Sequence, residues 1–248
     1  MEKCLNCGTP LQGKYCYNCG QEKISKRLSV KSMLHDFFHS SFHWESAILN
    51  TIKELFFSPG KFISQYLEGK RKSYAKPVTF FILMLSVYVI IFHLLSEDYF
   101  SYLNQALTGN KSDKIIFKNV TLAELQHMIS NKMNYLMFIL PPAFAFFFRI
   151  FFRQTKINFA EALAFSFYVI GFGLLISSLF TLTGYIDIKL LNFRFLLTYA
   201  YYVYAMVQFS QSKIYLGILK SILSLLLTYA IFIIFVTVII LAYLILFR

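Results

Sequence analysis

The stretch SILSLLLTYAIFIIFVTVIILAYLILF, residues 221–247, is uncharged throughout. As a helix rising 1.5 Å per residue it would reach about 40 Å, more than the ~30 Å of a bilayer's hydrocarbon core. It must tilt or extend beyond the hydrocarbon. Four further runs share its character. Pro77–Leu95 and Ala162–Leu182 carry no charge, Met133–Phe152 carries only Arg149 near its end, and Leu190–Phe209 carries only Arg194 near its start. Backbone amides in lipid must be satisfied within the segment, so each run is expected to be a helix. The expected fold is an all-α membrane protein with five transmembrane helices near 77–95, 133–152, 162–182, 190–209 and 221–247.

Composition agrees. The 248 residues are 57% hydrophobic and 19% aromatic, and only 15% are charged, against about 25% in a typical soluble chain. Residues 1–27 are polar and cysteine-bearing, with no apolar core or cleavage motif of a signal peptide. The amino terminus is therefore expected in the cytoplasm. The net charge of +12 supports that side, because 12 of the 24 Lys and Arg lie in residues 1–76. With five spans and the amino terminus inside, inside segments hold 17 basic residues and outside segments 7, as the positive-inside rule requires. The expected location is the cell (inner) membrane, multi-pass, with the carboxyl terminus outside.

The opening segment, CLNCGTPLQGKYCYNCG at 4–20, holds every cysteine of the chain. Cys4, Cys7, Cys16 and Cys19 form C-x2-C-x8-C-x2-C, and both pairs are followed by glycine. A two-residue gap lets one turn aim two sulfurs at one metal, and glycine suits the positive backbone angles of such a turn. Four thiolates close a tetrahedral site and leave no position for substrate, the arrangement of structural Zn2+. Iron would fit the same ligands, and two disulfides are the alternative in an oxidising compartment. The gap of eight is shorter than in many zinc ribbons, so a minimal zinc-ribbon knot is expected over 1–23, with two facing turns and little sheet. The metal would fold a segment too short to fold alone.

Residues 28–76 read as cytoplasmic amphipathic, juxtamembrane helices leading into the transmembrane domain, 77–248. Val30, Met33, Leu34, Phe37 and Phe38, then Ile48, Leu49, Ile52, Leu55 and Phe56, fall at helical spacing, with a break around SSFHWES. Pro59-Gly60 ends the second helix and Phe62–Leu67 forms a third. Such helices either lie in the membrane interface or pack on the bundle. The basic run GKRKSYAKP then places Lys70, Arg71, Lys72 and Lys76 beside the first span, where anionic lipid headgroups are attracted by about 1 kcal/mol per cation. Membrane lipids account for this charge better than nucleic acid does. His35, His39 and His43, at i, i+4 and i+8, lie within about 80° on a helix. They offer a second metal site or a pH-sensing face, or an ordinary solvated stripe.

The spans carry no ionisable group near their middle, where an ion or proton path would need one. Arg149, Arg194 and Glu161 lie near ends, from which arginine can snorkel to the interface. Ala162, Ser166, Gly173 and Ser177 share one face of the third span, a packing seam of small residues. Pro141-Pro142 is expected to kink the second. In the outer loop, Thr121 and Glu124 read as a capping box opening a helix, with Val120 and Leu125 as its hydrophobic staple. No nucleophile elbow, P-loop, H-E-x-x-H or carboxylate pair is present, so no catalytic residue is expected and the chain does not read as an enzyme.

CLNCGTPLQGKYCYNCGQ at 4–21 and TIKELFFSPGKFISQYLEGKRKSYAKPVTFF at 51–81 resemble an uncharacterised bacterial membrane-protein family, catalogued as a domain of unknown function and common among Bacteroidetes. Pro59-Gly60, Tyr66, Gly69-Lys70-Arg71, Tyr74 and Pro77 carry the likeness. It implies a metal-binding amino terminus, a juxtamembrane helix and several spans, with no established activity. The five-span architecture with an inside amino terminus is also similar to that of the Yip family of membrane-organising proteins. Two functions are thus expected to compete. One is a non-enzymatic membrane-organising protein whose knot docks a cytoplasmic protein partner. The other is a permease for small solutes or lipids, with a path near Pro141-Pro142 and Tyr199, Tyr201, Tyr202 and Tyr204.

Overall fold

The computed structural model describes residues 2–24, 27–38, 44–108, 115–117, 120–121, 136–183 and 191–247. After the cysteine segment come α1 (Val30–Phe38), α2 (Trp44–Phe57), α3 (Pro59–Glu68) and α4 (Pro77–Thr108). A short antiparallel pair, β1 (Ile115–Phe117) and β2 (Val120–Thr121), follows. Then come α5 (Leu140–Phe151), preceded by a 3-10 turn at Met137–Ile139, α6 (Phe159–Leu182), α7 (Leu191–Ser210) and α8 (Ile214–Phe247). The helix expected after Thr121 falls outside the described residues.

Three of these helices are long and apolar enough to cross a membrane, over Pro77–Leu94, Phe159–Leu182 and Ile214–Ala242. The other two expected spans are helical as well. Met137–Phe151 is apolar but short. Helix α7 has 20 residues, but its tyrosines, Asn192, Arg194, Thr198 and Gln208 dilute its apolar character. Helix α4 continues well beyond the expected Leu95, to Thr108.

Helix α6 is the axis of the bundle. It packs on α4, α5 and α7, and Ala162, Phe165, Ser166, Tyr168 and Val169 along it are fully buried. The small-residue seam expected here is where α7 lies. Gly173 faces Tyr202, whose Cζ would stand 2.6 Å from an added Cβ. One turn on, Ser177 Oγ is 3.1 Å from Thr198 Oγ1, and another turn on, Arg194 Nη1 donates to Thr181 Oγ1 at 3.2 Å. Three rungs at four-residue steps in opposite directions define two antiparallel helices in close contact. The third rung corrects the expectation for Arg194. It does not snorkel; it is 4% exposed, folded into the seam with its guanidinium over the Phe195 ring.

Pro141 and Pro142 mark a local change in the helical path. They occupy the first turn of α5, and the helical path from Leu136 changes from a 3-10 turn to an α-helix directly before them. The first turn has no intrahelical acceptor for its N–H groups, so proline loses nothing there. Pro59 plays the same part in α3. After it, Gly60 lets α3 touch the end of α7: an added Cβ would stand 2.5 Å from the Gln208 carbonyl carbon, and the Gly60 N–H donates to Gln208 Oε1 at 2.7 Å.

Helices α2 and α3 pack on the bundle. Leu55, Phe62 and Ile63 are buried in its core, while Leu49, Phe56 and Phe57 face outward. The segment of chain entering α4 is fixed at one residue. The Ala75 N–H donates to Thr51 Oγ1 at 3.0 Å, and Tyr168 Oη donates to the Ala75 carbonyl at 2.6 Å.

Candidate metal centre

The two halves of the cysteine segment fold alike. In the first, Cys4 N–H donates to the Thr9 carbonyl and Gly8 N–H to the Cys4 carbonyl, both at 2.8 Å. In the second, Cys16 N–H donates to the Gln21 carbonyl at 2.9 Å and Gly20 N–H to the Cys16 carbonyl at 2.8 Å. Gly8 and Gly20 have φ of 76° and 69°, left-handed values that glycine adopts without steric cost. Single antiparallel bridges, Lys3 with Pro10 and Tyr15 with Glu22, are the extent of the pairing here.

This repeat brings the four sulfurs together, all within 4.8 Å of one another. Cys4 Sγ is 3.6 Å from Cys19 Sγ, and Cys7 Sγ is 3.5 Å from Cys16 Sγ. A disulfide needs about 2.05 Å, and the four cysteines are free. A tetrahedron with metal–sulfur bonds of ~2.3 Å has edges of about 3.8 Å, so the donor set and spacing fit one thiophilic ion. Thr9 acts on one side of the cluster: its hydroxyl lies 3.3 Å from Cys7 Sγ and, with its backbone, draws the Cys7 thiol down to about 6. Burial pushes Cys19 the other way, up to about 11.

The cluster sits on the turn between α3 and α4. Gln21, 7% exposed, donates from Nε2 to the Gly69 carbonyl at 2.7 Å, while its Oε1 accepts the N–H groups of Arg71 and Lys72, each at 3.1 Å. Leu5 covers Gly69, where a Cβ would stand 2.5 Å from Leu5 Cδ1. Gly69 also has φ of 123°, so it serves both the α3 terminus and the seat of the knot. Sequence reading missed Gln21, since a single glutamine after a cysteine-glycine pair carries no visible signal.

A second tether follows. Arg27 Nε donates to Glu161 Oε1 at 2.8 Å, Nη2 reaches Glu161 Oε2, and Nη2 also donates to the Lys156 carbonyl at 3.2 Å. Glu161, 4% exposed, is thereby neutralised, and the contact raises the Arg27 pKa above its ordinary value. The same carboxylate completes a capping box at the start of α6: Glu161 N–H donates to Asn158 Oδ1, and Asn158 N–H to Glu161 Oε2. The N-x-x-E spacing was a readable signal for this cap. Leu28 and Met33 bury themselves beside it against Ala160 and Ala164.

The four cations expected at the membrane surface divide. Arg71 Nε donates to the Tyr66 carbonyl at 3.1 Å and Lys76 Nζ to the Asp36 carbonyl at 2.7 Å, both internal tasks. Lys72 is exposed and Lys70 half-buried. His35 lies near the exposed end of α1, with Nδ1 3.7 Å from the Asp36 carboxylate. His39 and His43 lie outside the described residues.

The chain matches no curated protein and no solved structure. Its residues 45–89, which run from α2 through α3 and the turn that seats the knot into α4, match the model of a family described as a protein of unknown function, DUF3667.

Proposed function

We propose that this is a non-enzymatic, multi-pass membrane protein in which structural zinc at Cys4, Cys7, Cys16 and Cys19 shapes a docking module fixed at the membrane surface. The supporting observation is the Gln21 clamp: three backbone groups of the juxtamembrane turn are bound by one side chain of the knot. A closed thiolate site offers no open coordination position for chemistry, so its use is to hold shape. The knot then presents Tyr15 and Tyr17, 58% and 72% exposed, to a cytosolic protein. In this reading α5 and α7 complete a five-span bundle in the cell membrane, with the amino terminus cytoplasmic and the carboxyl terminus outside, as the distribution of lysine and arginine favours.

The test is metal content and partner capture on the full chain in detergent. One equivalent of zinc is expected in the wild type and none in Cys4→Ser/Cys7→Ser. Crosslinking in cells should yield a partner dependent on Tyr15 and Tyr17. Wild-type protein without metal, or partners unchanged in Tyr15→Ala/Tyr17→Ala, would overturn the proposal.

A further inference from the structure

The turn between α5 and α6 bounds a cavity of about 420 Å³ whose lining is divided in character. Its charged members among the described residues are Arg149, Arg153 and Lys156, and no acidic side chain of the described residues lines it. All three cations are solvent-exposed. Beside them stand Phe146, Ile150 and Phe159, which are 53%, 38% and 36% exposed. The nearest carboxylate along the chain, Glu161, is engaged by Arg27 and by the Asn158 N–H, and it lines a separate cavity. Lys156 is held in a left-handed conformation with φ of 52°, its carbonyl bonded to Arg27. The backbone carrying its ammonium is therefore fixed.

The position of this cavity in the bundle decides what it takes. Arg149 is in the last turn of α5 and Phe159 is the first residue of α6, which is one of the membrane-length helices. Lys220, seven residues into α8, places its ammonium 5.9 Å from the ring centre of Phe152, another lining residue. The ends of three helices thus meet at one level, where outward apolar side chains give way to cations. Arginine and lysine there bind phosphate oxygens by charge-assisted hydrogen bonds, and basic pockets between helices hold lipid headgroups.

We propose that this cavity binds the phosphate of an anionic phospholipid, between Arg149, Arg153 and Lys156, with an acyl chain lying along Phe146 and Ile150. The ligand chemistry is a phosphate diester; the apolar rim selects a lipid over free phosphate. The site requires that the bundle be membrane-embedded, but it requires neither the metal nor a docked partner.

The experiment is native mass spectrometry of the full chain released from nanodiscs that contain equal phosphatidylglycerol and phosphatidylcholine. Wild type is expected to retain phosphatidylglycerol preferentially. Arg149→Gln/Arg153→Gln/Lys156→Gln should lose about tenfold or more of that preference. Arg149→Lys/Arg153→Lys should keep most of it, and so should the control Lys3→Gln/Lys14→Gln, at two exposed lysines of the cysteine knot. Arg153→Gln alone, on an exposed turn, gives a graded loss should the triple variant fail to fold. Equal retention of the two lipids by wild type, or unchanged preference in the triple variant, overturns the proposal. Displacement of the lipid by millimolar inorganic phosphate would also overturn it, identifying a free-phosphate site. Zinc content measured on the same samples separates this result from the fate of the docking module.

Discussion

Gln21 and Gly69 stand 48 positions apart, joined by a 2.7 Å hydrogen bond from the glutamine amide to the glycine carbonyl. The other end of that amide accepts from Arg71 and Lys72. One side chain thus meets three backbone groups that would otherwise face the underside of the cysteine knot. Losing it from a buried site should cost about 1–3 kcal/mol. Gln21→Ala is expected to retain its metal, because all four sulfurs remain, yet to expose residues 22–24 to protease. Gln21→Glu should fall between the two, since it keeps the acceptor and loses the donor. Limited proteolysis with parallel metal analysis reads both effects.

Rapid chelation of the proposed metal, read before the knot it holds can open, should reveal unequal thiols. Cys7, drawn down to about 6 by Thr9, is expected to alkylate first, with a rate that rises through pH 6 and levels off above it. Cys19, pushed up to about 11 by burial, should react slowly at neutral pH. Thiolate is the reactive form, so Thr9→Val should move the Cys7 profile to higher pH. Mass mapping of iodoacetamide adducts after chelation measures this order. In the loaded protein, lowering the pH returns protons to the sulfurs and releases the ion.

Two glycines on the bundle should respond differently to alanine. At Gly60 the added carbon meets the Gln208–Phe209 backbone, which cannot turn aside. At Gly171 it meets the Phe80 ring at 3.1 Å and the Phe81 Cα at 3.3 Å, which demands shifts of only a few tenths of an ångström. Gly60→Ala is expected to cost about 1–3 kcal/mol or more, and Gly171→Ala less. Thermal unfolding in detergent gives the ranking.

The start of α6 offers a further check. Asn158→Ala removes the side-chain acceptor of the capping box and should destabilise by about 1 kcal/mol. It also removes the Asn158 Nδ2 bond to the Leu28 carbonyl, 3.1 Å long. Hydrogen exchange should therefore rise in two places, the first turn of α6 and the segment near Leu28.

Charge and hydropathy along the chain were sufficient to read the membrane character, because three of the apolar helices are long enough to cross a bilayer. The paired C-x2-C-G units were equally plain, since each repeats a local turn. The small-residue face of α6 was visible as a stripe, and Tyr202 and Thr198 proved to be its partners. What stayed hidden depends on contacts far apart in sequence. Gln21 reaches Gly69, Arg27 reaches Glu161, and Arg194 turns inward to Thr181. None of these has a local period. Pro141 and Pro142 were visible but ambiguous, because the same dipeptide kinks a helix interior and opens a helix start. Here helical backbone runs from Leu136 through a 3-10 turn into α5, so the two descriptions meet at one place.

The hold on Ala75, at its N–H by Thr51 and at its carbonyl oxygen by Tyr168, has a mechanical consequence. Force applied to the amino-terminal module cannot draw the first long helix up or down like a piston without first breaking that grip. Such a load would instead be shared with α2 and α6, which carry Thr51 and Tyr168.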